Sequence, residues 1–197
     1  MKRIGILAGT FDPVHKGHLS FAMQAAEKAG LDAVYLIPEP KPRYKGDTTH
    51  ISHRTAMLHL AVEGYSKIKV LELPDKQFLV ATTLPRLKQQ FPNTELVMLV
   101  GIDVLAHMSV WPHIRTLLKD MGLVVAVRGD KDERHAFQLL ARLPVEPREA
   151  HVLISNYKMV AAREIRSALK TKSEPEGMLG SVKKYIKDNW LYQGIIK

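Results

Sequence analysis

The sequence predicts an α/β fold, with a doubly wound, mostly parallel sheet and helices on both faces. Short apolar runs alternate with longer amphipathic segments along the 197 residues. The short runs are rich in Val, Ile and Leu without polar alternation, which is typical of strands covered on both faces. Regular strand–helix alternation indicates parallel strands joined by right-handed crossovers. No stretch has the composition of a linker, so we expect one domain over residues 1–197.

The elements follow from these runs in chain order. Strands are predicted at residues 3–9, 33–38, 68–73, 95–101, 123–129 and 151–155. Helices are predicted from about residue 19 to a C-cap at Gly30, and at residues 52–64, 84–91, 113–122, 133–143, 162–170 and 180–192. The Pro-rich connection "IPEPKPRYKGDTTH", residues 37–50, is too long for a tight turn. A loop of this length is typical of an active site.

Composition excludes several classes of function. The chain has no cysteine, which rules out disulfides, thiolate catalysis and cysteine-ligated metal centres. Its N-terminus lacks the features of a signal peptide, and no apolar run approaches the roughly 18 residues of a membrane span. We therefore expect a cytoplasmic protein with no membrane partner. The net charge of +9 comes from dispersed residues, which favours a solvated surface with a polyphosphate site over nucleic-acid binding.

The most informative stretch is "GTFDPVHKGH", residues 9–18, which we call the histidine turn. Gly9 ends the first strand and permits close approach of a ligand to the backbone. Asp12 and the proline after it favour a turn. His15 and His18 then stand at the start of a helix, where free N–H groups and the helix dipole attract phosphate. The pair could therefore donate hydrogen bonds to a polyphosphate.

Other interpretations of the histidine turn remain open on the residues alone. One histidine could cap the helix while the other is exposed. A metal-binding pair is disfavoured because no His-Glu-x-x-His spacing is present, and the usual glycine-rich phosphate loops are also absent.

The histidine turn resembles the signature of the HxGH nucleotidyltransferase superfamily, represented here by His15-Lys16-Gly17-His18. Over nearly its whole length the chain is similar to the bacterial nicotinate-nucleotide adenylyltransferases. Further matches are "FLVATTLPRL" from Phe78, "LVGIDVLAHMSVW" with Gly101, Asp103 and Trp111, and the C-terminal "VKKYIKDNWLY".

The resemblance implies a Rossmann-like nucleotidyltransferase fold that transfers AMP from ATP to a pyridine mononucleotide and releases pyrophosphate, with Mg²⁺ as cofactor. It implies His15 and His18 as the catalytic pair, in contact with the ATP phosphates. The other residues that it assigns to ATP binding are Gly9, Thr10, Phe11, Gly101, Asp103, Ile165 and Arg166. Those that it assigns to substrate binding are Asp12, Lys45, Thr82, Asp103 and Trp111.

Several of these residues have ordinary structural alternatives. Trp111 before a proline is often a packed residue at a helix entry. Asp103 could cap a helix, and Thr82 could start one. Lys45 and Arg54 could be solvated charges or phosphate contacts.

The sequence also departs from the family pattern in the late helix "MVAAREIRSALK". Ala161 and Ala162 replace two hydroxyl residues that hold ATP phosphates in the family, while Ile165 and Arg166 remain. Arg163 could compensate in part for that loss. Two alternative functions therefore stay open: transfer to another acceptor such as nicotinamide mononucleotide or phosphopantetheine, and nucleotide binding without catalysis.

Overall fold

The computed structural model describes residues 1–42, 46–127, 129–155, 161–171 and 173–193, and only the backbone of Asp130 and Lys131. The strands are β1 (Lys2–Gly9), β2 (Ala33–Pro38), β3 (Ile68–Val70), β4 (Thr94–Gly101), β5 (Met121–Val127) and β6 (Ala150–Ile154). The helices are α1 (Lys16–Lys28), α2 (Ile51–Val62), α3 (Val80–Gln90), α4 (Ile102–Met108), α5 (Ile114–Asp120), α6 (Asp130–Ala141), α7 (Ala162–Lys170) and α8 (Gly180–Asp188). None of the helices in these ranges has both the length and the apolarity needed to cross a bilayer.

Within the described ranges the strands form one parallel sheet in the order β3-β2-β1-β4-β5-β6. The predicted fold class is therefore confirmed. The order of strands reverses between β1 and β4, so that β1 leads to β2 on one side while β4 leads to β5 on the other. In doubly wound sheets this switch point, at the carboxyl ends of the strands, is where ligands bind.

Side chains that alternate along the central strands build two cores, one on each face of the sheet. On β4, Met98 and Val100 pack with α3, α4 and α5. Val97 and Leu99 point to the other face and pack with α1, α2 and α8. Since the residues after β1 lead to α1 and those after β4 lead to α4, the chain leaves the switch point towards opposite faces, and a crevice opens between the two connections.

Some element boundaries differ from the sequence prediction. Helix α3 begins at Val80 rather than at residue 84, because the hydroxyl of Thr83 accepts a hydrogen bond from the Leu79 N–H (3.0 Å) and stabilises the first turn. Strand β5 begins at Met121, which pairs with Leu96 on β4. Residues 121 and 122 therefore belong to the sheet and not to the preceding helix.

Two further helical differences concern α4 and α8. Helix α4 was not predicted, and α8 ends at Asp188 instead of residue 192. Gly30, with a φ of +60°, follows α1 as the C-terminal glycine that the sequence predicted.

Candidate active site at the switch point

A cavity of about 400 Å³ opens at the carboxyl ends of β1 and β4. Five of the predicted site residues line it: Gly9, Thr10, Gly101, Asp103 and Trp111. The structure therefore brings together, in one crevice, residues that are up to about a hundred positions apart in the chain.

The histidine turn begins with a close contact between Gly9 and Phe11. A Cβ at Gly9 would lie 3.3 Å from the Phe11 ring, which is tighter than most such contacts. Phe11 has a φ of +49° and is 2% exposed. Phe11 is therefore packed within the turn, and the ATP contact that the resemblance implies for it stays a prediction.

His15 and His18 are stacked on each other at the start of α1. Their ring centroids are 3.7 Å apart, and the His15 backbone N–H donates a hydrogen bond to His18 Nδ1 (3.3 Å). A neutral imidazole that accepts at Nδ1 carries its proton on Nε2. The backbone of the turn thus selects the tautomer in which His18 Nε2 is a hydrogen-bond donor.

His15 is 5% exposed, and burial lowers its pKa to about 4. Its Nδ1 is buried and has no hydrogen-bond partner in the described part of the chain. Near neutral pH the ring is therefore uncharged, which avoids repulsion at close contact with His18. The pair stands at the N-terminus of a 13-residue helix, whose dipole favours an anion there.

The burial of His15 predicts a pH-dependent stability. An unfolded chain binds a proton on this imidazole below pH 6.5, whereas the folded protein does so only near pH 4. Since the unfolded state holds more protons between these values, stability falls as the pH drops from 6.5 to 4, by up to about 3 kcal/mol. Urea unfolding across this range measures the loss. The His15→Gln variant should show a flatter profile, and an identical slope in both proteins would contradict the assignment.

Asp12 connects the histidine turn to distant parts of the chain. Its carboxylate accepts hydrogen bonds from the Tyr192 hydroxyl (2.5 Å) and from the Thr49 N–H (3.3 Å), and its carbonyl accepts one from Arg166 (2.6 Å). Burial and the bond to Asp12 raise the pKa of Tyr192, which keeps the hydroxyl protonated. A role of Asp12 in substrate binding would therefore be indirect, through the shape of the turn.

Arg54 is neither a solvated charge nor exposed to a phosphate, in contrast to both interpretations of the sequence. It is 1% exposed, and its guanidinium donates to the backbone carbonyls of four residues at the carboxyl edge of the sheet. These are Thr49 (2.7 Å), Thr10 (2.7 Å), Glu39 (3.0 Å) and Pro40 (3.2 Å). Arg54 thus joins the loops that follow β1 and β2 to the start of α2.

Helix α7 approaches the histidine turn through Arg166. Ile165 is fully buried, so its side chain anchors the helix and is not exposed to a ligand. At the helix start, the Ala161 N–H donates to the Glu164 carboxylate (3.0 Å). Glu164 therefore satisfies one of the N–H groups at this helix terminus, while Ala161 and Ala162 supply no hydroxyl.

The remaining predicted substrate residues are Thr82 and Lys45. Thr82 is exposed on the first turn of α3 and is not among the described residues that line the cavity. Lys45 lies outside the described residues, so its predicted role stays a prediction.

The structure also reveals lining residues that the sequence did not single out. His107 follows Asp103 by one helical turn on α4, and Glu39 follows the end of β2. The Glu39 carboxylate accepts a hydrogen bond from the Phe78 N–H (2.7 Å), which brings the loop before α3 to the cavity. In the sequence, the i, i+4 spacing from Asp103 could have indicated that His107 lies on the same helix face. This spacing is informative only if α4 is recognised as a helix.

Comparisons with known proteins match nearly the whole chain. The family model described as cytidylyltransferase-like matches residues 6–173. A probable nicotinate-nucleotide adenylyltransferase of Neisseria meningitidis serogroup C is 31% identical over 200 residues, which cover 98% of this chain and 100% of the relative. The nicotinate-nucleotide adenylyltransferase of Bacillus subtilis strain 168 is 31% identical over 201 residues, with the same coverage.

Solved structures show the same fold. The nicotinic acid mononucleotide adenylyltransferase of Plasmodium falciparum, complexed with NaAD, aligns with a TM-score of 0.78 over 98% of each chain at 18% identity. The same enzyme complexed with APC aligns with a TM-score of 0.76 over 98% of each chain at 17% identity. The predicted fold is confirmed, and so is the family resemblance that was inferred from the histidine turn. The chain belongs to the cytidylyltransferase-like family and, within it, to the nicotinate-nucleotide adenylyltransferases.

Proposed function

We propose that the protein transfers AMP from ATP to the phosphate of nicotinate mononucleotide and releases pyrophosphate, a step of NAD biosynthesis. The observation that carries the proposal is the stacked pair of His15 and His18 at the start of α1, in a turn whose first residues line the switch-point cavity. The full-length similarity to nicotinate-nucleotide adenylyltransferases supports the same reaction.

The reaction requires little proton transfer by the protein. A phosphate oxygen of the mononucleotide attacks the α-phosphorus of ATP, and the bond from that phosphorus to the oxygen bridging the β-phosphate breaks. The electron pair leaves with pyrophosphate, so no general base is needed, because the attacking phosphate is already an anion. Catalysis then consists of positioning the two nucleotides and stabilising the charge that develops on the leaving group.

The histidine turn supplies the charge stabilisation in this proposal. His18 donates from Nε2 and His15 from its own ring to the ATP phosphates, and Gly9 and Thr10 bring backbone close to the nucleotide. Because both donors are held in place before ATP arrives, little reorganisation is needed during the reaction. Arg166 adds a positive charge next to the turn.

The acceptor is assigned to the α4 side of the cavity. Trp111 would stack on the pyridine ring, and Asp103, in the first turn of α4, would position the second nucleotide. Thr82 and Lys45 remain predicted substrate contacts.

Mg²⁺ is proposed to enter with ATP. Among the described residues no group of three or more His, Asp or Glu side chains could hold a metal ion. The ion would be bound through the phosphates of ATP, whose charge it would neutralise. The cytoplasmic location expected from the sequence also stays a prediction.

The start of α7 offers a test of how the triphosphate is held. Restoring hydroxyls with Ala161→Ser and Ala162→Ser should tighten ATP binding by at least about tenfold, since even one hydrogen bond to a charged oxygen contributes about 1.5–3 kcal/mol. Calorimetry with ATP measures the change, and the affinity for nicotinate mononucleotide serves as the control because it should not move. Unchanged ATP affinity would show that the triphosphate does not reach this helix terminus.

The function itself is tested by measuring pyrophosphate release with ATP and Mg²⁺ and one acceptor at a time. Nicotinate mononucleotide should be used first, with nicotinamide mononucleotide and phosphopantetheine as comparisons and CTP in place of ATP as a further arm. Release that requires nicotinate mononucleotide supports the proposal. Release with phosphopantetheine or CTP alone would replace it with another nucleotidyl transfer, and nucleotide binding without release would indicate a non-catalytic relative.

A further inference from the structure

We propose that His107 selects the acceptor by donating a hydrogen bond to the carboxylate of nicotinate, so that nicotinate mononucleotide is preferred over nicotinamide mononucleotide. The inference rests on the proposed function, which assigns the pyridine ring to the α4 side of the cavity. It adds a residue that neither the family motifs nor the sequence analysis singled out.

The position of His107 follows from helix geometry. Helix α4 starts directly after β4, and residues Asp103 and His107 are four positions apart, so they lie on one face one turn from each other. Both line the switch-point cavity together with Trp111, which follows His107 by four positions. A ring stacked on Trp111 would lie in the cavity that His107 also lines.

The side chains that line the cavity favour His107 as the hydrogen-bond donor to an anion. Glu39 and Asp103 are the acidic side chains of the described lining, and His107 is the ionisable side chain in that lining that can donate a hydrogen bond. The structure gives its imidazole no hydrogen bond or ion pair to any described residue, so a ligand does not have to displace a partner.

The two acceptors differ only in the ring substituent. Both carry a positively charged pyridinium ring, which Asp103 and Glu39 attract to the same extent. The nicotinate carboxylate is repelled by these two residues and must be placed away from them, whereas the neutral amide of nicotinamide is not. A hydrogen bond from His107 to the carboxylate offsets that repulsion. Such a bond is stronger to a charged oxygen than to the oxygen of an amide.

The experiment compares kcat/KM for the two mononucleotides in wild type, His107→Phe and His107→Gln. Loss of the donor in His107→Phe should lower the value for nicotinate mononucleotide about 10- to 100-fold, mainly through KM, and change the value for nicotinamide mononucleotide less than about threefold. His107→Gln keeps an N–H donor and should retain an intermediate preference. The matched control is His59→Phe on the exposed face of α2, which should leave both values unchanged.

A second readout separates this inference from the proposed function. If wild type turns over neither mononucleotide, the proposed reaction fails, and the dissociation constants of the two mononucleotides, measured by calorimetry without ATP, decide the role of His107. An affinity ratio that falls about 10- to 100-fold in His107→Phe supports the inference in either case. An unchanged ratio in the folded variants, or a wild-type preference for nicotinamide mononucleotide, would overturn it.

Discussion

Replacing His18 with alanine should lower kcat by about 10²–10³-fold while leaving the fold intact. The expected size is that of removing one preorganised donor from a site where charge develops in the transition state. His18 is suited to this role because its Nδ1 already accepts from the His15 N–H (3.3 Å), which holds the ring and places its proton on Nε2. Steady-state release of pyrophosphate from ATP and nicotinate mononucleotide measures the effect.

Two comparisons make the His18 result specific. His59→Ala removes an imidazole from the exposed side of α2 and should keep wild-type turnover. His18→Gln keeps an N–H donor in place of the imidazole and should recover part of the lost rate. Full activity in His18→Ala would show that His18 takes no part in the chemistry. A lowered thermal midpoint of this variant would show that the stacked pair mainly stabilises the turn.

The sheet could be predicted from the sequence because its evidence is local. Strands buried on both faces appear as continuous runs of Val, Ile and Leu, and the glycines that end β1 and β4 mark the edge where ligands bind. The histidine turn carried the family resemblance for a similar reason: one short segment contains both the glycine that permits close approach and the two imidazoles.

The rest of the site depends on contacts between distant segments, which no local pattern encodes. Asp12 is 180 positions from Tyr192 and 154 positions from Arg166, yet it bonds to both. In the sequence, Asp12 appears as a turn residue and, through the family resemblance, as a substrate contact, and neither points to these partners. Its burial follows from the way α7 and the C-terminal segment pack onto the turn.

Helix α4 illustrates a second limit of the sequence. Its seven residues are too few for a clear apolar period, so the sequence indicated only that Asp103 could cap a helix there. Unless this segment is recognised as a helix, the direction of the His107 side chain cannot be inferred from the sequence. The residue we propose for acceptor choice was therefore not recognisable as a site residue before the fold was known.

Arg54 shows how burial overturns an interpretation of charge, and it leads to the largest expected effect on stability. An arginine after a basic loop was interpreted as a solvated charge or a phosphate contact, but its guanidinium is buried and donates to four backbone carbonyls. Burial lowers the pKa of Arg54, while the charge of Asp12 acts in the opposite direction and favours the ionised form.

Arg54→Met should therefore destabilise the protein by at least about 3 kcal/mol, because it removes the donor from four part-buried carbonyls, each at a cost of about 1 kcal/mol. Arg54→Lys keeps the charge but cannot reach carbonyls from two loops with a planar fork, so it should recover only part of the loss. The matched control is Arg115→Met, since Arg115 is exposed on α5; it should change stability by less than about 1 kcal/mol. Urea unfolding of the three variants measures the differences. Equal effects of Arg54→Met and Arg115→Met would show that the loops at the carboxyl edge hold together without the guanidinium.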